Sequence, residues 1–291
     1  MTLFERVHRV VIAGVGLIGG SVGLAMKRAG FNGEIVGLGR RWSSLKNALD
    51  VGAVDSAILD YAEALGEADL LLIGTPVNTI PIIIEEAIKH TQPGCIITDV
   101  GSVKEWLVSK VEPLIPGNMH FVGAHPMAGS HMTSVTAASA SLFDDRICIV
   151  TPTETTDSEA VKIVTELWKF MGARVEFMSP EEHDRLIAAA SHLPHAVASA
   201  LVSVVAGVES EKHKALDFTA TGFEDTTVRI AGGSPELWTD ILMQNAGMVS
   251  LMLGKLEREL AEMRKLLSDM NEQELMEKLE QAKQIRDSIQ R

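Results

Sequence analysis

Four polar stretches hold the side chains able to do chemistry in this chain. "TDVGSVK" (98–104) offers Asp99 and Ser102, and "GAHPMAGS" (123–130) offers His125 and Ser130. "SHLPH" (191–195) offers Ser191, His192 and His195, and "DTTVRIAGGSPELW" (225–238) offers Arg229. A histidine whose ordinary pKa is near 6.5 can take up and release a proton close to neutrality. An arginine can clamp a carboxylate through two parallel hydrogen bonds. His192 and His195 are three apart and share a helix face. No third ligand accompanies them, so a metal is not expected. His192 reads as structural, and His8, His90, His120, His183 and His213 have no supporting context.

These stretches need a scaffold, and the hydrophobic pattern predicts one. Short apolar strands are expected at 7–13, 34–39, 68–76, 95–102, 120–126, 146–151 and 174–179. Helices are expected at 17–29, 42–52, about 78–90 and about 157–171, with Ser43 or Ser44 as a plausible N-cap of the second. Alternating strands and helices imply parallel pairing with right-handed crossovers. The first two polar stretches then follow strand ends, where ligands bind in such sheets. After Ser179 the pattern becomes helical throughout, with long runs at 180–208, 234–270 and 271–290. A boundary is expected there, dividing a domain at 1–179 from a helical domain at 180–291. Leu251, Met252, Leu256, Leu260, Met263 and Leu267 recur at helical spacing. They read as core or subunit contact and point to a homodimer.

Gly14-Val15-Gly16-Leu17-Ile18-Gly19 lies between the first strand and the first helix. In that position G-x-G-x-x-G marks a phosphate-binding turn, with the helix N-terminus aimed at a pyrophosphate. The fold expected is therefore an α/β Rossmann-type dinucleotide-binding domain followed by an all-α dimerisation domain. Thr75, Pro76, Asp99 and Gly101, at the ends of later strands, are further candidate cofactor contacts. The second strand usually ends in an acid that bonds the ribose 2′-hydroxyl. Here it ends in Gly39, followed by Arg40, Arg41 and Ser43. Guanidiniums without a repelling carboxylate favour a 2′-phosphate, hence NADP over NAD.

The bulk numbers set limits. With 26 Lys+Arg against 39 Asp+Glu, the net charge is −13. That argues against nucleic acid or an anionic membrane as main partner. Cys95 and Cys148 sit in apolar runs and make no disulfide framework. No charged leader precedes the first strand, so a cytoplasmic protein is expected.

The glycine turn, Asp99-x-Gly101-Ser102-x-Lys104, His125-Pro126-Met127-Ala128-Gly129, Ser191-His192-Leu193-Pro194-His195 and Arg229-Ile230-Ala231 occur in that order. In series they resemble the prephenate/arogenate (cyclohexadienyl) dehydrogenase family of tyrosine biosynthesis, over nearly the whole chain. The resemblance implies oxidative decarboxylation: a hydride leaves C4 of a cyclohexadienol for NAD(P), and the ring carboxylate leaves as CO2. It implies that His125 bonds the C4 hydroxyl, that Ser102 bonds the same hydroxyl or orients His125, and that Arg229 clamps a carboxylate. Ser130, His131, Ser191 and His195 would line the rest of the pocket. Where the family often has an acid, this chain has His131, which suits the pyruvyl side chain of prephenate better than the ammonium of arogenate. "DTTVRIA" also carries one residue more between Asp225 and Arg229 than the commoner family pattern. Two other classes compete. A β-hydroxyacid dehydrogenase needs a helical lysine that "SHLPHAVASALV" lacks. A non-catalytic dinucleotide-binding sensor has no need of His125, Ser102 and Arg229 together.

Overall fold

In the computed structural model, which describes residues 6–129, 132 and 134–289, eight strands form one sheet. They are β1 (Arg9–Ala13), β2 (Glu34–Leu38), β3 (Ser56–Ile58), β4 (Leu70–Ile73), β5 (Ile96–Asp99), β6 (His120–Pro126), β7 (Ile147–Thr151) and β8 (Arg174–Phe177). Their order across the sheet is β3-β2-β1-β4-β5-β6-β7-β8. β1 lies between β2 and β4, so the strand order reverses beside it and a crevice opens at the carboxyl ends of β1 and β4.

The helices covering this sheet are α1 (Leu17–Arg28), α2 (Trp42–Asp50), α3 (Tyr61–Leu65), α4 (Ile80–Ala87), α5 (Glu105–Val111) and α6 (Ser158–Phe170). Both faces are buried, as the continuous apolar strands require. Val10 and Ile12 pack with Val22 and Met26 on one face. Val11 and Ala13 pack with Leu71, Ile73 and Ile97 on the other. Cys95 and Cys148 are buried and free, and burial pushes the Cys95 thiol up to about 12.

The sheet is mixed, which corrects the expectation of parallel pairing throughout. β6 and β7 run antiparallel, pairing His125 with Ile149 and Gly123 with Thr151. The reason lies in the connection. A parallel return needs a crossover that packs on the sheet, commonly a helix. Between β6 and β7 the described residues form only the short 3₁₀ turn Val135–Ala137, which lies against α1 at Gly20.

After Ser179, which caps Glu182, come α7 (Pro180–Ile187), a π-helical turn at Ala188–His192 and α8 (Leu193–Ala206). Pro194 has no N–H to continue an α-helix, and the wider turn absorbs that break. The run Pro180–Ala206 is apolar and long enough to cross a membrane by length and composition. It nevertheless buries the charged Asp184 and three histidines, His183, His192 and His195, on its inner face. Next come α9 (Thr221–Ala231) and α10 (Pro235–Gln244), with α9 packed along α8.

The helix expected over 234–270 is broken at Asn245, whose φ is −113° and ψ 28°. Its amide turns inward instead, donating to the Asp184 carbonyl at 2.8 Å. The first compact unit extends to Asn245. The second unit is a hairpin of α11 (Ala246–Ser268) and α12 (Glu272–Ser288), with Asn271 capping α12. Lys278 bridges to Glu259 and Glu262 across it, at 2.6 and 2.9 Å. Met252 is buried, whereas Leu251, Leu260 and Leu267 are exposed.

Close contact between α1 and the first turn depends on Gly19, where an added Cβ would lie 2.4 Å from the Gly14 carbonyl oxygen. Backbone cannot yield as a side chain can. Gly19→Ala is expected to cost roughly 1–3 kcal/mol of stability, read as a lower urea midpoint at unchanged slope.

Candidate active site

The carboxyl ends of β1, β4, β5 and β6 hold the first group of candidate residues. Gly14 follows β1 with φ +91°, and an added Cβ would lie 2.5 Å from Thr75 Cγ2 and 2.9 Å from the Gly74 backbone. Only glycine fits both demands. Gly16 is the N-cap of α1, with no side-chain cap and no acid in the first turn. The N–H groups of Leu17, Ile18 and Gly19 therefore face the crevice without an intrahelical acceptor. This cradle fits the pyrophosphate of a dinucleotide. Thr75 and Pro76 sit across it, with the Thr79 hydroxyl donating to Thr75 Oγ1 at 2.8 Å.

Gly39, Arg40, Arg41 and Ser43 follow β2, and the last three are exposed. The N-cap of α2 is Arg41, in extended backbone, with no side-chain cap. Ser43 and Ser44 lie inside the first turn, which corrects the capping expected of them. An uncapped helix start flanked by two guanidiniums offers backbone N–H groups and positive charge to an anion.

Asp99 differs from its expected role as a cofactor contact. It is fully buried and saturated: it pairs with the Lys104 ammonium and accepts from Gly101 N at 2.7 Å and Ala124 N at 3.2 Å. Asp99 therefore shapes the loop carrying Gly101 and Ser102 from beneath. Breaking such a buried pair by removing one partner costs about 3–5 kcal/mol, so the loop is firmly held.

His125, near the end of β6, meets residues that the sequence did not single out. Its Nδ1 lies 2.9 Å from His183 Nε2, and His183 Nδ1 lies 2.7 Å from Asp184 Oδ1. Asp184 also accepts from Lys104 N at 2.8 Å and Glu105 N at 3.0 Å, capping α5. The sequence signal was weak: a His-Asp pair one turn into a helix, with no motif around it.

His125 was expected near its ordinary pKa, but the structure places it well below. Burial is the largest cause, followed by the charges of His183, Lys104 and His192. The ring is thus neutral at neutral pH and able to accept a proton. His183 is also lowered, chiefly by burial.

Among the helical candidates, Ser191 is half-buried on the π turn and His195 is buried on α8. The His195 ring stacks on Trp238, with centroids 3.6 Å apart and planes 10° apart. Its Nδ1 is buried with no partner among the described residues. His192, read from the sequence as structural, is buried with its Nδ1 3.2 Å from the Asn245 amide. Arg229 lies on α9, beside the helix that carries His195, but its side chain falls outside the described set. Ser130 and His131 also lie outside the described residues.

Residues 22–177 match the family model "Prephenate dehydrogenase, nucleotide-binding domain", and residues 179–281 match "Prephenate dehydrogenase, dimerization domain". The chain is 36% identical to the prephenate dehydrogenase of Bacillus subtilis, over 96% of this chain and 76% of that one. It is similar in structure to the prephenate dehydrogenase of A. aeolicus in complex with hydroxyphenyl propionate and NAD+. That match has TM-score 0.92 and 33% identity, and covers 97% of this chain and 98% of that one. A Synechocystis arogenate dehydrogenase matches with TM-score 0.81 and 31% identity, covering 96% and 99% of the two chains.

Burial also sets an acid limit on stability. It lowers the His192 pKa to about 4 from 6.5. Above pH 6.5 both folded and unfolded forms are neutral, and this group contributes nothing. Below it the unfolded chain takes up a proton that the folded chain refuses, so stability falls down to about pH 4, by about 3 kcal/mol. Urea unfolding across this range should show that fall, and His192→Gln should flatten it by that group's share.

The phosphate turn, the neutral buried histidine and the sequence and structural likeness agree: this chain is an NAD(P)-dependent oxidoreductase belonging to the prephenate dehydrogenase family.

Proposed function

We propose that the chain is an NADP-preferring prephenate dehydrogenase that converts prephenate to 4-hydroxyphenylpyruvate and CO2. The observation that carries this reading is His125: a neutral, buried imidazole at the end of β6, three places across the sheet from β1, which leads into the phosphate cradle. A dinucleotide held with its pyrophosphate against the N–H groups of Leu17, Ile18 and Gly19 would supply the nicotinamide that takes up the hydride from C4. His125 takes the proton of the C4 hydroxyl, so a carbonyl begins to form there. Loss of CO2 from the opposite ring carbon returns an electron pair and makes the ring aromatic. Aromatisation drives the step, so the protein's task is chiefly placement.

The remaining residues place the substrate. Ser102, on the loop held by Asp99, bonds the C4 hydroxyl or steadies His125. Arg229 clamps a carboxylate. His195, fixed flat against Trp238 with Nδ1 unpaired, supplies a further polar contact. Ser191, Ser130 and His131 complete the lining. A neutral or weakly basic residue at His131 suits a pyruvyl side chain, which supports prephenate over arogenate. Arg40, Arg41, Ser43 and the uncapped start of α2 support a 2′-phosphate, hence NADP. The exposed apolar positions Leu251, Leu260 and Leu267 support a homodimer, and the −13 charge supports a small-molecule enzyme rather than a partner of nucleic acid or anionic membrane.

Initial rates for prephenate and arogenate, each with NAD and NADP, test the reading. Prephenate with NADP should be the fastest pair, and turnover with NAD alone would refute the cofactor preference. Replacing Arg40 and Arg41 with Ala should weaken NADP binding about tenfold more than NAD binding, and equal losses would count against the phosphate clamp. His125→Asn should lower kcat by about 10²–10⁴-fold with cofactor binding intact, as read by fluorescence titration of the reduced cofactor.

A further inference from the structure

His183 and Asp184 have no part in the chemistry above, yet both are buried, with His183 Nε2 against His125 Nδ1 and Asp184 against the other ring nitrogen of His183. The hydrogen bonds fix which atom carries which proton. Asp184 receives three N–H donors: Lys104 N and Glu105 N at 2.8 and 3.0 Å, and His183 Nδ1 at 2.7 Å. Its carboxylate accepts in each, so His183 Nδ1 carries a proton. A neutral imidazole has one proton to place, which leaves His183 Nε2 as a lone pair. The 2.9 Å contact from that lone pair to His125 Nδ1 then requires the proton to sit on His125 Nδ1.

We propose that His183 and Asp184 form a positioning relay that locks His125 in the Nδ1–H tautomer, leaving Nε2 as the acceptor for the substrate hydroxyl proton. This rests on the reading of His125 as the base. The opposite arrangement needs a doubly protonated His183 donating in both directions. The charged and titratable groups facing the pair are Lys104, Asp99, His192, Asp184 and the Cys148 thiol. Burial is the largest influence and disfavours a second proton on His183; the Asp184 hydrogen bond opposes it, the Lys104 ammonium sides with burial, and the net shift is downward. When the substrate proton arrives at His125 Nε2, the ring becomes an imidazolium. Its Nδ1–H then points down a line of acceptors ending at a carboxylate, the arrangement by which an aspartate steadies a catalytic histidine in other enzymes. As the ring becomes aromatic the proton returns from His125 Nε2 to the oxygen on C4, so the product leaves as a phenol and no proton is gained or lost over the cycle.

The test reads the tautomer directly, in the full-length protein labelled with nitrogen-15 at histidine and without substrate. The expected spectrum shows Nδ1 protonated and Nε2 unprotonated in both His125 and His183 at pH 7.5. A protonated Nε2 on His125 would overturn the proposal, whichever substrate or cofactor the enzyme uses. Two substitutions supply the kinetic arm. In His183→Gln the amide oxygen can occupy the place of Nε2 and still accept from His125. In His183→Asn the shorter amide keeps the contact to Asp184 and leaves His125 Nδ1 without a partner. His183→Asn is expected to lose about tenfold or more in kcat, with KM nearly unchanged, and His183→Gln to recover most of it. A purely structural role predicts the reverse, or equal losses, because Asn preserves the helix-capping side of the contact.

Discussion

The carboxylate of Asp184 is the point on which the site depends. It closes the N-terminus of α5 by accepting two backbone N–H groups from a segment eighty residues earlier. It receives the ring of His183, and its own backbone carbonyl receives the amide of Asn245. One residue thereby ties the first helix after the sheet to the loop holding Ser102, to the histidine on β6 and to the end of α10. A buried anion is tolerated only when its hydrogen-bonding capacity is filled. Here the donors that fill it are the parts of the site that must be held in register.

A second buried anion lies beneath the first loop. Asp99 and Lys104 neutralise each other inside the sheet's edge, and Asp99 also takes the Gly101 and Ala124 N–H groups. The loop on which Ser102 rides thus follows β5 without freedom to sag. The cation beside the histidines does a further thing: together with burial it keeps His125 uncharged. A ring that is neutral before reaction can accept a proton, whereas one already charged cannot. Placing a lysine near a base is at first sight unfavourable, but this one is already committed to Asp99.

Local patterns made much of this legible. The glycine turn could be placed from Gly14, Gly16 and Gly19 because each answers a steric demand of one strand–helix joint. His125 could be placed because its strand-end position coincides with the HPMAG motif of the resemblance, in series with the other motifs. Non-local features were not legible. The antiparallel course of β7 goes with a connection whose described residues form only a short 3₁₀ turn, and no local pattern states that. Asp99 appeared as a cofactor contact because its position at a strand end suits that role. Its saturation by Lys104 and Ala124 follows only from the packed sheet. His183 and Asp184 carry no motif, and their meaning comes from a contact to His125 across fifty-eight residues. Asn245 hid inside a helical period, because helix periodicity does not record a side chain that prefers to turn inward and end the helix.

The π turn and the docked α7 also bear on how such a chain can be divided. The segment matching the nucleotide-binding model ends at residue 177, after the phosphate cradle and after His125. The partner of the His125 ring lies in the segment that begins at 179. The glycine turn at 14–19 and His125 both lie before residue 178, whereas the partner of the His125 ring lies after it. Exchange of whole segments among relatives could carry cofactor preference across intact. It would carry proton chemistry only where the incoming helix brings its own histidine and carboxylate to the same strand end. The two segments are modular for binding and inseparable for reaction.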